Sequence, residues 1–124
     1  MRMLQVVTVV LSVLMLGCVV TPAVAQEALD AVTVDPAHHK VVFENAKFRV
    51  VRWIVSPGDK TSNHSHPANL NILLTDYDAR VTTPDGKTTE VHFKAGEAMW
   101  REAGIHLVEN ISQHPMEGFI VEPK

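Results

Sequence analysis

The chain has 124 residues, a formal net charge of −3 at pH 7, 46% hydrophobic residues and one cysteine. This length allows one ordinary domain and excludes a multidomain enzyme. The charge balance is slightly acidic, with 11 Lys and Arg against 14 Asp and Glu and no basic run, so we expect no nucleic-acid partner.

The first 25 residues have the pattern of a secretory signal peptide. Arg2 is the only charged residue before Glu27, a long apolar stretch follows it, and the segment ends on Ala-Val-Ala at positions 23–25. This pattern predicts cleavage after Ala25 and a periplasmic or secreted protein, with no membrane span after processing. A retained membrane anchor is the alternative interpretation of the same apolar stretch.

The single cysteine, Cys18, lies inside this predicted leader. Residues 15–18, Met-Leu-Gly-Cys, resemble a bacterial lipoprotein processing site, so lipidation at Cys18 is the alternative to cleavage after Ala25. Cleavage after Ala25 is the favoured interpretation, and it leaves a mature domain without a thiol or a disulfide.

The remaining chain divides into an irregular N-terminal arm, residues 26–39, and a β-domain, residues 40–124. Short segments rich in β-branched residues alternate with turns, of which Pro84-Asp85-Gly86 has the strongest turn chemistry. Strands at such regular spacing predict a sandwich or a small barrel. The predicted strands are residues 40–43, 47–55, 70–75, 79–83, 88–93, 98–101, 107–111 and 118–121.

Three of the seven histidines have the spacing of metal ligands. His64 and His66 flank one residue, and on an extended chain they face the same side. His106, on a distant predicted strand, is a candidate third ligand. His92 alternates with apolar residues and is predicted to face solvent. The other histidines, His38, His39 and His114, lie in predicted loops and are assigned no role.

Around these histidines the chain resembles the cupin family of small β-barrels, over residues 40–122. The family's first motif contains a Gly, five residues and His-x-His, as in Gly58 followed by His64 and His66. The Glu that follows in the family is a metal ligand, and it falls here on Leu70 or Asn71, depending on the spacing. Asn71 is therefore a candidate ligand through its amide oxygen.

The family's second motif also has a counterpart. It contains a Gly, five residues, Pro-x-Gly, then a His and, after three residues, an Asn. Gly96, Gly104, His106 and Asn110 match it, with Glu102 in the place of the proline and His106 one residue early. The two motifs together imply an all-β jelly-roll, the double-stranded β-helix of a cupin barrel.

The resemblance implies a metal on His64, His66 and His106, with Asn71 beside them. A 2-His-1-carboxylate site suits non-haem iron, and its carboxylate is missing here. Three neutral imidazoles can hold a divalent ion, for which Fe, Mn, Ni, Cu and Zn are the candidates. The alternative is a metal-free pocket in which the histidines hydrogen-bond a ligand or water.

Other polar and aromatic residues have candidate roles at the barrel mouth. Glu102 is a candidate general base or stray ligand, and Trp100 is predicted to line the ligand pocket or to fill the core. Arg52 and Arg101 would bind a carboxylate if they face inward, and otherwise face solvent. Trp53 is predicted to lie in the core or in a dimer interface.

Two classes of function remain open at this point. The first is a small metalloenzyme with oxygenase, decarboxylase, isomerase or lyase chemistry on a small organic molecule. The second is a non-catalytic protein that binds a small molecule or a metal. A homodimer is expected for either class, because single-domain cupins are typically dimeric and the predicted core is small.

Overall fold

The computed structural model describes residues 29–124. The predicted signal peptide, its cleavage site after Ala25 and Cys18 lie outside the described residues. Within residues 29–124, none of the helices has the length and apolar character needed to cross a membrane.

The described part of the chain consists of one helical turn followed by nine strands. The helical turn α1 is Ala31–Val34, inside the arm that was predicted to be irregular. The strands are β1 His39–Glu44, β2 Phe48–Val55, β3 His64–His66, β4 Asn69–Leu73, β5 Tyr77–Thr82, β6 Thr88–Phe93, β7 Ala98–Arg101, β8 Gly104–Asn110 and β9 Met116–Pro123.

The strands form two antiparallel sheets. A five-stranded sheet has the order β1-β2-β9-β4-β7, and a four-stranded sheet has the order β3-β8-β5-β6. In β2 the buried side chains of Val51, Trp53 and Val55 alternate with the exposed side chains of Arg52 and Ile54. This period of two places one face of the strand against the interior. The all-β jelly-roll prediction is confirmed.

The core lies between the two sheets. Val51, Val55 and Ile120 from the five-stranded sheet pack with Ala79 and Val108 from the four-stranded sheet. Trp53 belongs to this cluster and meets Tyr77 edge-on, with ring centroids 5.6 Å apart. Trp53 is therefore a core residue, which is one of its two predicted positions.

Gly118 in β9 makes the packing of Trp53 possible. A Cβ atom at Gly118 would lie 2.6 Å from the Trp53 ring and 2.6 Å from the carbonyl oxygen of Ile72. The indole therefore covers the backbone of β9 at a distance that only glycine allows.

Asn110, the asparagine of the second motif, has a structural role. Its amide nitrogen donates to the carbonyl oxygens of Val55 and His114, at 2.9 and 2.8 Å. Its oxygen accepts from the backbone nitrogen and the hydroxyl of Ser112, at 2.8 and 2.7 Å. The side chain is fully buried and ties the end of β8 to β2 and to the following turn.

The strand predictions hold for β6 and β7 to the residue and for most others within two residues. The strand β3 was not predicted from the sequence, because it is only three residues long and polar throughout. The strand β1 begins at His39, one residue earlier than predicted, and β8 begins at Gly104 rather than at residue 107.

Candidate metal centre

Two of the predicted ligands lie directly opposite each other on neighbouring strands. β3 pairs with β8, and in this register His64 is the partner of His106, while His66 is the partner of Gly104. Opposite residues of an antiparallel pair share one face of the sheet. Because residues 64 and 66 share a face as well, the rings of all three histidines converge. The centroid separations are 4.8 Å for His64–His66, 4.7 Å for His64–His106 and 5.7 Å for His66–His106.

A fourth histidine, His39, joins this group from the other sheet. Its ring centroid lies 4.6 Å from that of His64 and 5.4 Å from that of His66. One ligand atom from each of His39, His64 and His66 lies within 4.8 Å of the others, and all three residues are buried. The sequence interpretation that gave His39 no role is therefore wrong about its position: it is a buried part of the histidine cluster, not a loop residue.

The sequence gives no alternation that marks His39 as buried. His39 is the only buried residue of β1, and Val41, two residues later, is 40% exposed. The burial of His39 follows from the strand register, in which its backbone partner is the buried Trp53.

The ring nitrogens of two histidines approach to the distance expected of ligands on one ion. The Nε2 atoms of His64 and His106 are 3.1 Å apart. Nitrogens bound at about 2.0–2.1 Å are about 3.3 Å apart in a tetrahedral shell and about 2.9 Å apart at right angles. The separation of 3.1 Å lies between these two values.

The other ring nitrogens of His64 and His39 face hydrogen-bond acceptors of the protein. The Nδ1 atom of His64 is 2.8 Å from the carbonyl oxygen of Ser62. The Nδ1 atom of His39 is 3.3 Å from the carbonyl oxygen of Asp35 and 3.5 Å from its carboxylate. An acceptor at Nδ1 fixes the proton there and leaves the Nε2 lone pair free for a ligand, which is the usual arrangement around metal-bound histidine.

His66 has a carboxylate behind it in the same way. Its Nδ1 atom lies 3.4 Å from Oε1 of Glu122, which is almost fully buried. The Nε atom of Arg49 donates to Oε2 of Glu122 at 2.6 Å, and Arg49 also pairs with Asp30. This chain of charges holds Glu122 in position for His66, so the site has carboxylates in its surroundings although none belongs to the ring cluster.

Burial keeps His39, His64 and His106 neutral. Burial, and then the neighbouring histidines, lower the pKa of His39 to about 2 and that of His106 to about 3. The pKa of His64 falls to about 4, mainly through burial. Neutral imidazole is the form that binds a metal ion.

A cavity of about 380 Å³ adjoins the histidine cluster and runs between the two sheets. Its walls are mostly apolar, with Val55, Val81, Val91, Val108 and Ile120 among the lining side chains. An apolar pocket with a few polar groups at one end is the usual form of a small-molecule site.

Asn71 lines this cavity, but its amide oxygen already has a partner. The indole nitrogen of Trp53 donates to Oδ1 of Asn71 at 3.2 Å. The predicted role of Asn71 as a metal ligand remains a hypothesis, and the contact with Trp53 gives the side chain a structural role. Leu70, the other residue at the position of the family's Glu, is the backbone partner of Trp100.

The structure separates Trp100 from the cavity. Its side chain is 53% exposed and is not part of the cavity lining, so the prediction of a pocket wall is not supported. The reason is the register of β7, in which the neighbours Met99 and Arg101 occupy the opposite face. Glu102 does line the cavity mouth, and its carboxylate accepts a hydrogen bond from the Trp100 indole at 3.0 Å.

The two arginines that were candidates for carboxylate binding differ in position. Arg101 lines the cavity, and its guanidinium carbon lies 5.4 Å from the centroid of the Phe93 ring. Arg52 pairs with Glu117 on the outer face of the five-stranded sheet.

The remaining histidines lie apart from the cluster. His92 is largely exposed, as predicted, and its Nδ1 atom lies 2.7 Å from the carboxylate of Asp78. His38 bridges the carboxylates of Asp35 and Asp59. Burial by itself lowers the pKa of His38, but these two hydrogen bonds outweigh it and raise the pKa. His38 thereby fastens the segment that carries Asp35 and His39 to the turn before β3.

Comparison with known proteins supports the fold and leaves the function open. No family model and no curated protein matches the sequence. A solved cupin domain from Bordetella pertussis is 25% identical, with a TM-score of 0.64, over 69% of this chain and 91% of that one. An uncharacterised double-stranded β-helix protein from Klebsiella pneumoniae is 26% identical, with a TM-score of 0.54, over 68% and 75%. An RmlC-like cupin family protein from Methanocaldococcus jannaschii is 14% identical, with a TM-score of 0.54, over 68% and 77%.

These similarities and the two-sheet topology define the class of the domain. The chain has the cupin fold, as a small double-stranded β-helix domain with buried histidines in proximity. The histidine cluster is compatible with metal binding.

Proposed function

We propose that this protein is an exported cupin-fold protein that binds one divalent metal ion through His64, His66, His106 and His39. The observation that carries the proposal is the proximity of ligand atoms of His39, His64 and His66, all within 4.8 Å of one another, with Nε2 of His106 3.1 Å from Nε2 of His64. Three of these four rings have an acceptor at Nδ1. That arrangement presents nitrogen lone pairs to a common centre. In this proposal His39 takes the place of the family's missing carboxylate, and Asn71 supports Trp53 instead of the metal.

The donor set bears on the identity of the metal. Four neutral nitrogens suit Zn, Cu, Ni and Fe, whereas Mn prefers carboxylate and water oxygens. We therefore place Zn, Cu, Ni and Fe ahead of Mn among the candidates. A bound divalent ion would supply a Lewis acid at the inner end of the cavity.

The residues around the centre suit a small organic ligand. The valine and isoleucine walls exclude water and bind the apolar part of a ligand. Glu102 lines the mouth and is the carboxylate available there to accept a proton. A metalloenzyme of the oxygenase, decarboxylase, isomerase or lyase type and a non-catalytic binding protein share these requirements. A metalloenzyme would convert the bound ligand to a product, whereas a binding protein would release it unchanged.

A metal-free pocket is the second candidate, and one contact favours it. The 3.1 Å approach of the His64 and His106 Nε2 atoms is also a hydrogen-bond distance, if His106 carries its proton on Nε2. In that state the cluster would be a self-contained polar end of a binding pocket.

Metal binding separates these candidates. The protein is stripped with a chelator, and its melting temperature is measured with Zn, Ni, Cu, Fe(II) or Mn added in turn. Binding to the folded state alone at about 100 times the Kd adds about 2.7 kcal/mol, which raises the melting temperature by about 10 °C or more. We expect this shift with at least one of the nitrogen-preferring metals.

Variants make the result specific. Replacing His64 and His106 by Ala together should abolish the shift, whereas H92A, which changes an exposed histidine, should retain it. If no metal raises the melting temperature of the unaltered protein, the metal-free pocket replaces the proposal.

Export and dimer formation belong to the same proposal. The signal-peptide pattern of residues 1–25 is the reason to expect a periplasmic or secreted protein. The small core is the physical reason to expect a homodimer. Fractionation of expressing cells and light scattering of the purified protein test these two expectations.

A further inference from the structure

Arg101 lies at the open end of the cavity. It is the last residue of β7, at the edge of the five-stranded sheet, and it lines the cavity. Its guanidinium lies over the ring of Phe93, which belongs to β6 at the edge of the other sheet. The side chain therefore spans the gap between the two sheets, and the contact with the ring restrains its orientation.

Arg101 differs from the other arginines of the described chain in its partners. Arg49 pairs with Asp30 and Glu122, as described above. Arg52 pairs with Glu117, and Arg80 pairs with Glu90 and Glu109. Within residues 29–124, Arg101 forms no ion pair. The nearest carboxylate in sequence, that of Glu102, accepts a hydrogen bond from the Trp100 indole.

A second polar group that lines the cavity has no hydrogen-bond partner among the described residues. Tyr77 lines the cavity, and no residue of the described part forms a hydrogen bond with its hydroxyl. Burial raises the pKa of Tyr77 to about 12 although Arg101 opposes the rise, so the hydroxyl stays protonated and can donate. The charge of Arg101 also acts on His106, which places the guanidinium within electrostatic reach of the histidine cluster.

We infer that the cavity binds a small carboxylic acid with an apolar body, whose carboxylate pairs with Arg101 at the mouth. The planar guanidinium fork matches a carboxylate with two parallel hydrogen bonds. The apolar walls accommodate the rest of the molecule, and the volume of about 380 Å³ limits it to a small organic acid. This inference deepens the proposed function, because the far end of such a ligand would lie toward the histidines.

The charge balance favours a monocarboxylate over a phosphate ester. Arg101 is the cationic side chain that lines the cavity, and Glu102 beside it carries a negative charge. Among the residues described, the lining of the cavity has no second Lys or Arg to balance the additional charge of a phosphate dianion. A neutral sugar would leave the charge of Arg101 with only the Phe93 ring and water as partners.

Matched pairs of acids and amides test this inference. The probes are benzoate, cinnamate and 2-naphthoate, each measured beside its primary amide, which has nearly the same shape without the charge. Dissociation constants are measured by NMR titration with both the zinc-treated and the chelator-treated protein. We expect at least one acid to bind at least tenfold more tightly than its amide.

Three variants locate the charge that the acid recognises. R101Q should reduce the preference for the acid to near unity, and R101K should retain part of it as a single point charge. R80Q changes another strand arginine, already paired with glutamates, and should keep the full preference. Melting temperatures of all three variants establish that they are folded.

The outcomes distinguish this inference from the proposed metal site. If R101Q keeps the full preference, or if no acid binds better than its amide, the inference is wrong. If the preference in R101Q persists only with zinc, the metal takes the carboxylate in place of Arg101, and the metal proposal survives. If no metal binds but the chelator-treated protein shows the Arg101-dependent preference, the metal proposal fails and the carboxylate site stands.

Discussion

The two ends of the cavity are built on opposite principles. At the histidine end, the polar groups are buried and Nδ1 of three rings faces a protein acceptor, from Asp35, Ser62 or Glu122. At the mouth, Arg101 is exposed and forms no ion pair with any described residue. The difference indicates that the histidines of the inner end are held in fixed orientations by the protein, whereas the mouth has polar groups with which a ligand could pair.

The largest expected effect concerns a central histidine of the inner end. A four-ligand structural zinc site has a binding free energy of about 10–16 kcal/mol, so one ligand contributes about 3 kcal/mol. H64A should therefore weaken zinc binding on the order of 100-fold in competition with a chelating dye. H39A should show a loss of the same order, and H92A should show none. An unchanged affinity in H39A would remove His39 from the ligand set.

The wall of the cavity offers a test of packing without a change of charge. G118A places a Cβ 2.6 Å from a carbonyl oxygen and from the Trp53 ring, and the carbonyl cannot move without disturbing the sheet. We expect a loss of about 2 kcal/mol in the free energy of unfolding, measured by urea titration. The indole should also shift toward the cavity, with a change in tryptophan fluorescence. Wild-type stability in G118A would contradict this account of the packing.

The carboxylate of Glu122, which faces Nδ1 of His66, allows a test of how the protein orients that ring. E122Q keeps the shape of the side chain but removes the charge that faces His66. Removing a carboxylate that orients a metal-bound histidine typically lowers metal affinity about 10- to 100-fold. E117Q, which changes a glutamate on the outer face that pairs with Arg52, is the matched control. Equal affinities in the two variants would mean that Glu122 stabilises only the fold.

The pH dependence of the metal-free protein tests the burial of the histidines. Their folded-state pKa values, about 2 for His39, 3 for His106 and 4 for His64, lie below the ordinary value of 6.5. The unfolded chain therefore binds more protons, and stability is full above about pH 6.5 and falls as the pH drops below it.

The slope of that loss is measurable. Each of the three histidines contributes up to about 1.4 kcal/mol per pH unit below pH 6.5. His38 acts in the opposite direction, because its raised pKa adds stability at low pH. Urea titrations at pH 7.5, 6.5 and 5.5 with a chelator present should show a net decline, and replacing His39, His64 and His106 together should flatten it. A rise in stability toward pH 5.5 would contradict the burial of His39, His64 and His106 as neutral imidazoles.

Much of the fold could be predicted from alternation and turns. Segments such as β6 and β7 carry clear turn chemistry at both ends, and their bounds are correct. The missed strand β3 has no apolar alternation, because both of its outer residues are histidines that face the interior. It forms a strand through pairing with β8, and this long-range contact leaves no local pattern.

The site could be predicted only in part for a related reason. The resemblance to the two cupin motifs predicted that His64, His66 and His106 lie together, and the structure brings them together. His39 was missed because its proximity to His64 comes from the packing of one sheet against the other, across 25 positions of the chain. Trp100 was misplaced because only the register of β7 decides which of its residues face inward.

The most direct test of the central claim is a nitrogen NMR spectrum of the histidine side chains during zinc titration. We predict that the Nε2 signals of His39, His64, His66 and His106 shift together and saturate at one zinc per chain. The signals of the exposed His92 should stay in place. Saturation of His92 alone, or four cluster signals that do not move at one equivalent, would contradict the claim that these four imidazoles hold one ion.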